Sequence, residues 1–135
     1  MAVASAVLTL GATSIAEGHE PGGRLGKVNF QTSCNAAAQK EIDFAVALYH
    51  SFDWERYKAP LERALQADPG CGIAHGIRAM GILDNPFAWP INLNPKLLAD
   101  GQAALEEARK AGLKTERERD YVEAIEGFYR DHDKL

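Results

Sequence analysis

The sequence predicts an all-α domain. Alanine is abundant, and β-branched runs are nearly absent beyond residue 32. Apolar residues recur at spacings of three and four in five separate stretches. The first two features favour helix over sheet. The third marks helices that each bury one face. With 135 residues, 46% of them hydrophobic, the chain suits one domain with a real core.

Residues 1–16, MAVASAVLTLGATSIA, carry no charge and end on Ser14-Ile15-Ala16, small residues at both key positions of a leader cleavage site. They are expected to be a removable signal peptide, which places the mature chain in the periplasm or outside the cell. The first basic residue is Arg24, so the usual Lys/Arg-bearing start is missing; a frayed Ala-rich helix is the alternative. The stretch is short for a membrane span, and no other segment is long and apolar enough for one. Residues 17–33, which include GHEPGG, read as a flexible linker. Phe30 is expected to pack on the first helix.

That helix is expected from about Asn35 to His50, with Ala38, Ile42, Ala45, Val46 and Tyr49 on its apolar face. His50 at its end suits the negative pole of the helix dipole. Asp53 is the expected N-cap of a second helix from Trp54 to Ala67. Pro60 falls inside it, which predicts a kink or a regular helix only from Pro60 onward. Asp68-Pro69-Gly70 makes a turn. A third helix follows from Cys71 to Leu83. In DNPFAWPINLNP, Pro86, Pro90 and Pro95 forbid a continuous helix. A fourth runs from Pro95 to Ala111, with proline in its first turn and Gly112 just past its end. Thr115 and Glu118 form a capping-box signature. They open a fifth helix, whose stripe is Tyr121, Val122, Ile125, Phe128 and Tyr129.

Internal periodicity narrows the architecture. Tyr57-x3-Leu61-x2-Ala64-x4-Pro69 resembles the second half of a tetratricopeptide repeat, and Gly101-x3-Leu105-x2-Ala108 repeats its spacing. Phe44-Ala45-x2-Leu48 and Arg78-Ala79-x2-Ile82 lie 34 residues apart, the repeat length of that family. Tyr121-x2-Ala124-Ile125-x2-Phe128 resembles the opening of a further repeat. FQTSCNAAAQ, VALYHSF, ALQADPGCG, the NPFAWP loop and KTERERDYVEA followed by FYRD look like the N-terminal part of bacterial exported tetratricopeptide-repeat proteins, over roughly residues 28–133. The resemblance implies an α-solenoid of stacked antiparallel helix pairs, about two and a half repeats over residues 34–135. Ala45, Ala64, Ala79 and Ala108 would be the points where helix axes approach. Glu41 and His75 stand where the family has an aromatic, Tyr57 replaces a small residue, and about ten extra residues separate Ala79 from Gly101. The fifth helix is expected to be half of a repeat that continues beyond Leu135, leaving Tyr121, Ile125 and Phe128 uncovered.

Cys34 and Cys71 open equivalent helices of consecutive repeats, on one edge of such a stack. A disulfide is geometrically possible there, and an oxidising compartment favours it. Two buried thiols, or a metal site in which both join His75, are the alternatives; zinc needs three or four ligands and a fourth is not evident. No metal and no cofactor are expected.

The net charge of −4, and the lack of a basic run interleaved with aromatics, argue against nucleic-acid binding. No nucleophile is accompanied by a base or a paired acid, so no catalytic residue is assigned. The expected function is a non-catalytic scaffold for a protein or peptide. Its inner surface would come from the first, third and fifth helices, and the resemblance turns Glu41, Phe44, His75 and Arg78 toward it. Phe87 and Trp89 are candidate anchors in a loop stiffened by proline; alternatively both rings fold back over the third and fourth helices. The rival classes are a metal or enzymatic domain using Cys34, Cys71 and His75, and a structural cap of a larger enzyme.

Overall fold

A computed structural model describes residues 25–85, 87 and 93–134. The proposed leader, residues 17–24 of the linker and Trp89 lie outside the described residues. Five helices follow in order: α1 (Ala36–His50), α2 (Lys58–Ala67), α3 (Gly72–Ile82), α4 (Pro95–Ala111) and α5 (Glu116–Arg130), with a short 3-10 turn at His132–Lys134. No strand occurs among the described residues, so the chain is all-α.

Capping chemistry sets the helix ends. The Asn35 side chain accepts from the amides of Ala37 and Ala38 at 3.1 and 2.9 Å, two donors that the first turn of α1 leaves unpaired. The same residue donates from its backbone to Asp68 and from its amide to the Ala67 carbonyl, both at 2.8 Å. The start of α1 is thereby joined to the end of α2. Asn94 and Thr115 cap α4 and α5, and the capping box with Glu118 is complete. Gly112 has φ +95°, a conformation that side chains with a Cβ resist.

The second helix departs from expectation. Asp53 does not cap a helix at Trp54; its carboxylate accepts from the Arg56 amide at 3.1 Å and closes a turn. Regular helix begins at Lys58, two residues before Pro60. Pro60 therefore sits in the first turn, where its missing N–H costs nothing, and no kink is needed.

Packing is between neighbours: α1 on α2, α3 on α4, α2 on α3, and α5 on both α3 and α4. Ala45, Ala64, Ala79 and Ala108 are all fully buried, and Tyr57, Leu61 and Leu105 fill the space beside them. Ion pairs bridge the exposed seams, Glu41 to Arg63 across α1 and α2, Glu62 to Arg78 across α2 and α3, and Arg109 to Glu126 across α4 and α5. Gly101 lies under the buried Tyr129 ring, whose hydroxyl donates to the Ala79 carbonyl. A Cβ at Gly101 would overlap that ring. Gly101→Ala is therefore expected to destabilise by about 1–3 kcal/mol despite the better helix propensity of alanine, measured by urea unfolding.

The segment before α1 is tied down. Residues 28–33 have no regular secondary structure, yet they form a strap across α1 and α5. The Phe30 amide donates to Asp43 at 2.8 Å and its carbonyl accepts from Gln39 at 2.8 Å. The Phe30 ring meets Tyr121 of α5 edge-on at 5.1 Å, so its ring partner is on α5 while its backbone is held by α1. Ser33 donates from its amide (2.7 Å) and its hydroxyl (3.0 Å) to the buried carboxylate of Glu118. The Arg117 guanidinium donates to the Gln31 carbonyl at 2.8 Å and lies over the rings of Phe30 and Tyr121. One residue further, Cys34 is disulfide-bonded to Cys71, with Cα atoms 5.1 Å apart. The strap is thus joined to α1, α3 and α5 at once.

Candidate functional site

Where α1 and α3 end, they leave a groove against α5. It holds about 350 Å³ and is lined by Tyr49, Met80, Leu83, Tyr121, Ala124, Ile125 and Phe128. Each wall follows from helical periodicity. Tyr49 continues the core stripe of α1 by one turn beyond Ala45, and Met80 and Leu83 are three apart on α3. On α5, Tyr121, Ala124, Ile125 and Phe128 recur at three and four, so one stripe serves the groove. Ile125 is buried, whereas Tyr121 and Phe128 are each 42% exposed.

The walls differ in firmness. The Tyr49 ring is braced edge-on against Tyr57 at 5.7 Å. Its hydroxyl is pushed above its ordinary pKa by burial, with the Asp84 carboxylate adding to the effect. Burial also raises Tyr57, to about 12, so both tyrosines are neutral at physiological pH. The Tyr121 wall is braced by the strap, whose Phe30 ring meets it edge-on, and by the Arg117 guanidinium over its ring. Met80 has an unbranched side chain that adapts to differently shaped occupants. The arrangement offers apolar area and shape, with no nucleophile or acid–base pair on its walls among the described residues.

A second concavity of about 460 Å³ opens at the same end of α1 and α3. Ser51, Phe52, Asp53, Trp54 and Glu55 line it from the α1–α2 turn, and Asp84 and Asn85 from the end of α3. Phe52 and Asp84 each follow a helix end in the left-handed conformation, at φ 62° and 58°. That conformation is common for Asp and uncommon for a bulky aromatic. Phe52 is 62% exposed and meets Trp54 edge-on at 5.7 Å and Phe87 at 6.1 Å.

The residues singled out from the sequence fall in several places. Glu41 is held by Arg63 and Arg78 by Glu62, both toward α2. Phe44 is on the surface. His75 is half-buried; burial, with Arg78 nearby, lowers its pKa, and its Nδ1 has no hydrogen-bond partner. None of these four lines the groove, because their side chains leave α1 and α3 on other faces. Phe87 does not fold back over α3 and α4; it is 81% exposed and reaches the α1–α2 turn. Tyr121, Ile125 and Phe128 do line the groove, beside α1 and α3. Pro69 is exposed in its turn, and the remaining repeat positions are buried. Tyr49, Met80, Leu83 and Ala124 were not among the site candidates. The 34-residue spacing that pairs Ala45 with Ala79 also pairs Tyr49 with Leu83, and carried the missing signal. Both cysteines are consumed in the disulfide, which removes the thiolates that a zinc site with His75 requires. No group of three or more His, Cys, Asp or Glu placed to hold a metal occurs among the described residues, and no described helix is long and apolar enough to cross a membrane.

Compared with protein-family models, curated proteins and solved structures, the chain matches none.

Proposed function

We propose that this chain is a non-catalytic interaction module of tetratricopeptide type, in which helix pairs stack side by side and α1, α3 and α5 present one face to a protein or peptide partner. Three features support the stacking: the 34-residue spacing of the buried Ala45 and Ala79, the pairing of α1 with α2 and α3 with α4, and the matching spacing of Leu61 to Ala64 and Leu105 to Ala108. The observation that carries the function is the apolar groove between those helices, with the half-exposed rings of Tyr121 and Phe128 on its wall. Exposed apolar concavities of this kind are where side chains of a partner bury area. Action outside the cytoplasm is part of the proposal, supported by the disulfide and by the leader-like residues 1–16.

Ala124 is exposed and lines the groove, so Ala124→Arg fills it without entering the core. A fluorescein-labelled amphipathic peptide with leucines four apart is expected to bind the parent chain and to lose at least tenfold in affinity on this variant, at unchanged melting temperature. Equal binding to both proteins contradicts the groove as the docking face.

A further inference from the structure

The groove and the aromatic concavity both lie at the ends of α1 and α3. Tyr49 and Leu83 line the first; Ser51, Phe52 and Asp84, one to three residues further along the same two helix ends, line the second. Phe52 and Trp54 line the second concavity from the α1–α2 turn and Asp84 from the end of α3, where a segment running from the groove toward those helix ends would arrive. The charges there are not equivalent. Asp53 is matched by Arg56 and Glu55 by Lys58. The Asp84 carboxylate accepts no hydrogen bond and forms no ion pair among the described residues, and it stands on an exposed residue.

We propose that this concavity receives an arginine side chain of the partner, next to the apolar residues seated in the groove. The inference rests on the groove reading for the position of the partner, and on Asp84 and the two rings for its chemistry. A guanidinium is planar, stacks on aromatic faces and donates two parallel hydrogen bonds to one carboxylate. A carboxylate and two aromatic rings lining one concavity complement that group and repel an acidic one. The left-handed backbone of Phe52 keeps its ring outside the core, on the wall of the concavity.

The chain has two tryptophans, so a Trp89→Phe background leaves Trp54 as the sole indole reporter. In that background, N-acetyl-arginine amide is expected to quench Trp54 emission at millimolar concentration. N-acetyl-citrulline amide, the neutral isostere, is expected to bind at least tenfold more weakly. Asp84→Asn, which suits the left-handed backbone, should erase the difference. The amphipathic peptide ending in arginine should bind about tenfold more tightly than its citrulline counterpart. Equal binding of the arginine and citrulline probes overturns the inference. If Ala124→Arg abolishes peptide binding while arginine shows no advantage, the groove stands and this inference falls. If arginine keeps its advantage while Ala124→Arg changes nothing, the arginine site stands and the groove falls.

Discussion

Replacing both cysteines, as C34S/C71S, is expected to lower the unfolding free energy by about 3–4 kcal/mol, read from urea denaturation. The bond joins residues 37 apart in sequence. In the chain-entropy model, closing a loop of that length removes freedom from the unfolded chain by an amount equivalent to about 3–4 kcal/mol. The native contribution adds to it, because the bond holds the strap at the start of α3. The expected local consequence is that amides of residues 30–33 exchange faster in the variant than in the parent, while those of α4 stay protected. Uniform loss of protection along the whole chain, or no loss of stability, contradicts the role given to the disulfide.

The second large effect is expected at Glu118. Its carboxylate is buried and accepts from the Ser33 amide and hydroxyl, the Lys114 amide and the Thr115 amide, at 2.7–3.1 Å. Burial alone raises the pKa of such a group; the hydrogen bonds from Ser33, Thr115 and Lys114 outweigh it, and the carboxyl is held below its ordinary value of 4.5. A depressed folded pKa means that the stabilisation is complete above the unfolded value. It is lost as pH falls from about 4.5 through the folded value. Glu118→Ala removes all four acceptor contacts, made by the half-buried Ser33 and by the amides of the exposed Lys114 and Thr115, at a cost of about 1–3 kcal/mol. Glu118→Gln keeps the shape but loses the charge. It is expected to cost less, and to flatten the dependence of melting temperature on pH below 4.5. A variant as acid-sensitive as the parent would sink this account.

Thr115 and Glu118 show how unevenly the molecule was legible. They announce a helix start through their spacing alone, and α5 begins there. Nothing local says that the same carboxylate also holds Ser33, 85 residues away. The segment containing Ser33 looks like linker because it has no periodicity. Its order comes from partners on α1 and α5 and from the neighbouring disulfide to the start of α3. In the same way, Tyr49 is readable as the last member of an apolar stripe, but which helices flank it is not a local property. Glu41 and Arg78 went to ion pairs with α2, because charged side chains beside an exposed seam find opposite charges there.

The sequence by itself determined that there are five helices, the capping box that opens α5, the place of the turns and which alanines are buried. Those depend on backbone propensity, capping atoms within three residues and the 3.6-residue period, all local. Only the tertiary structure decided where the strap lies, how far the proline at position 60 delays α2, and that the groove is walled by Tyr49, Met80, Leu83 and the α5 stripe. Those outcomes depend on which faces meet, and the energy that selects them comes from burial and hydrogen bonds between residues far apart along the chain.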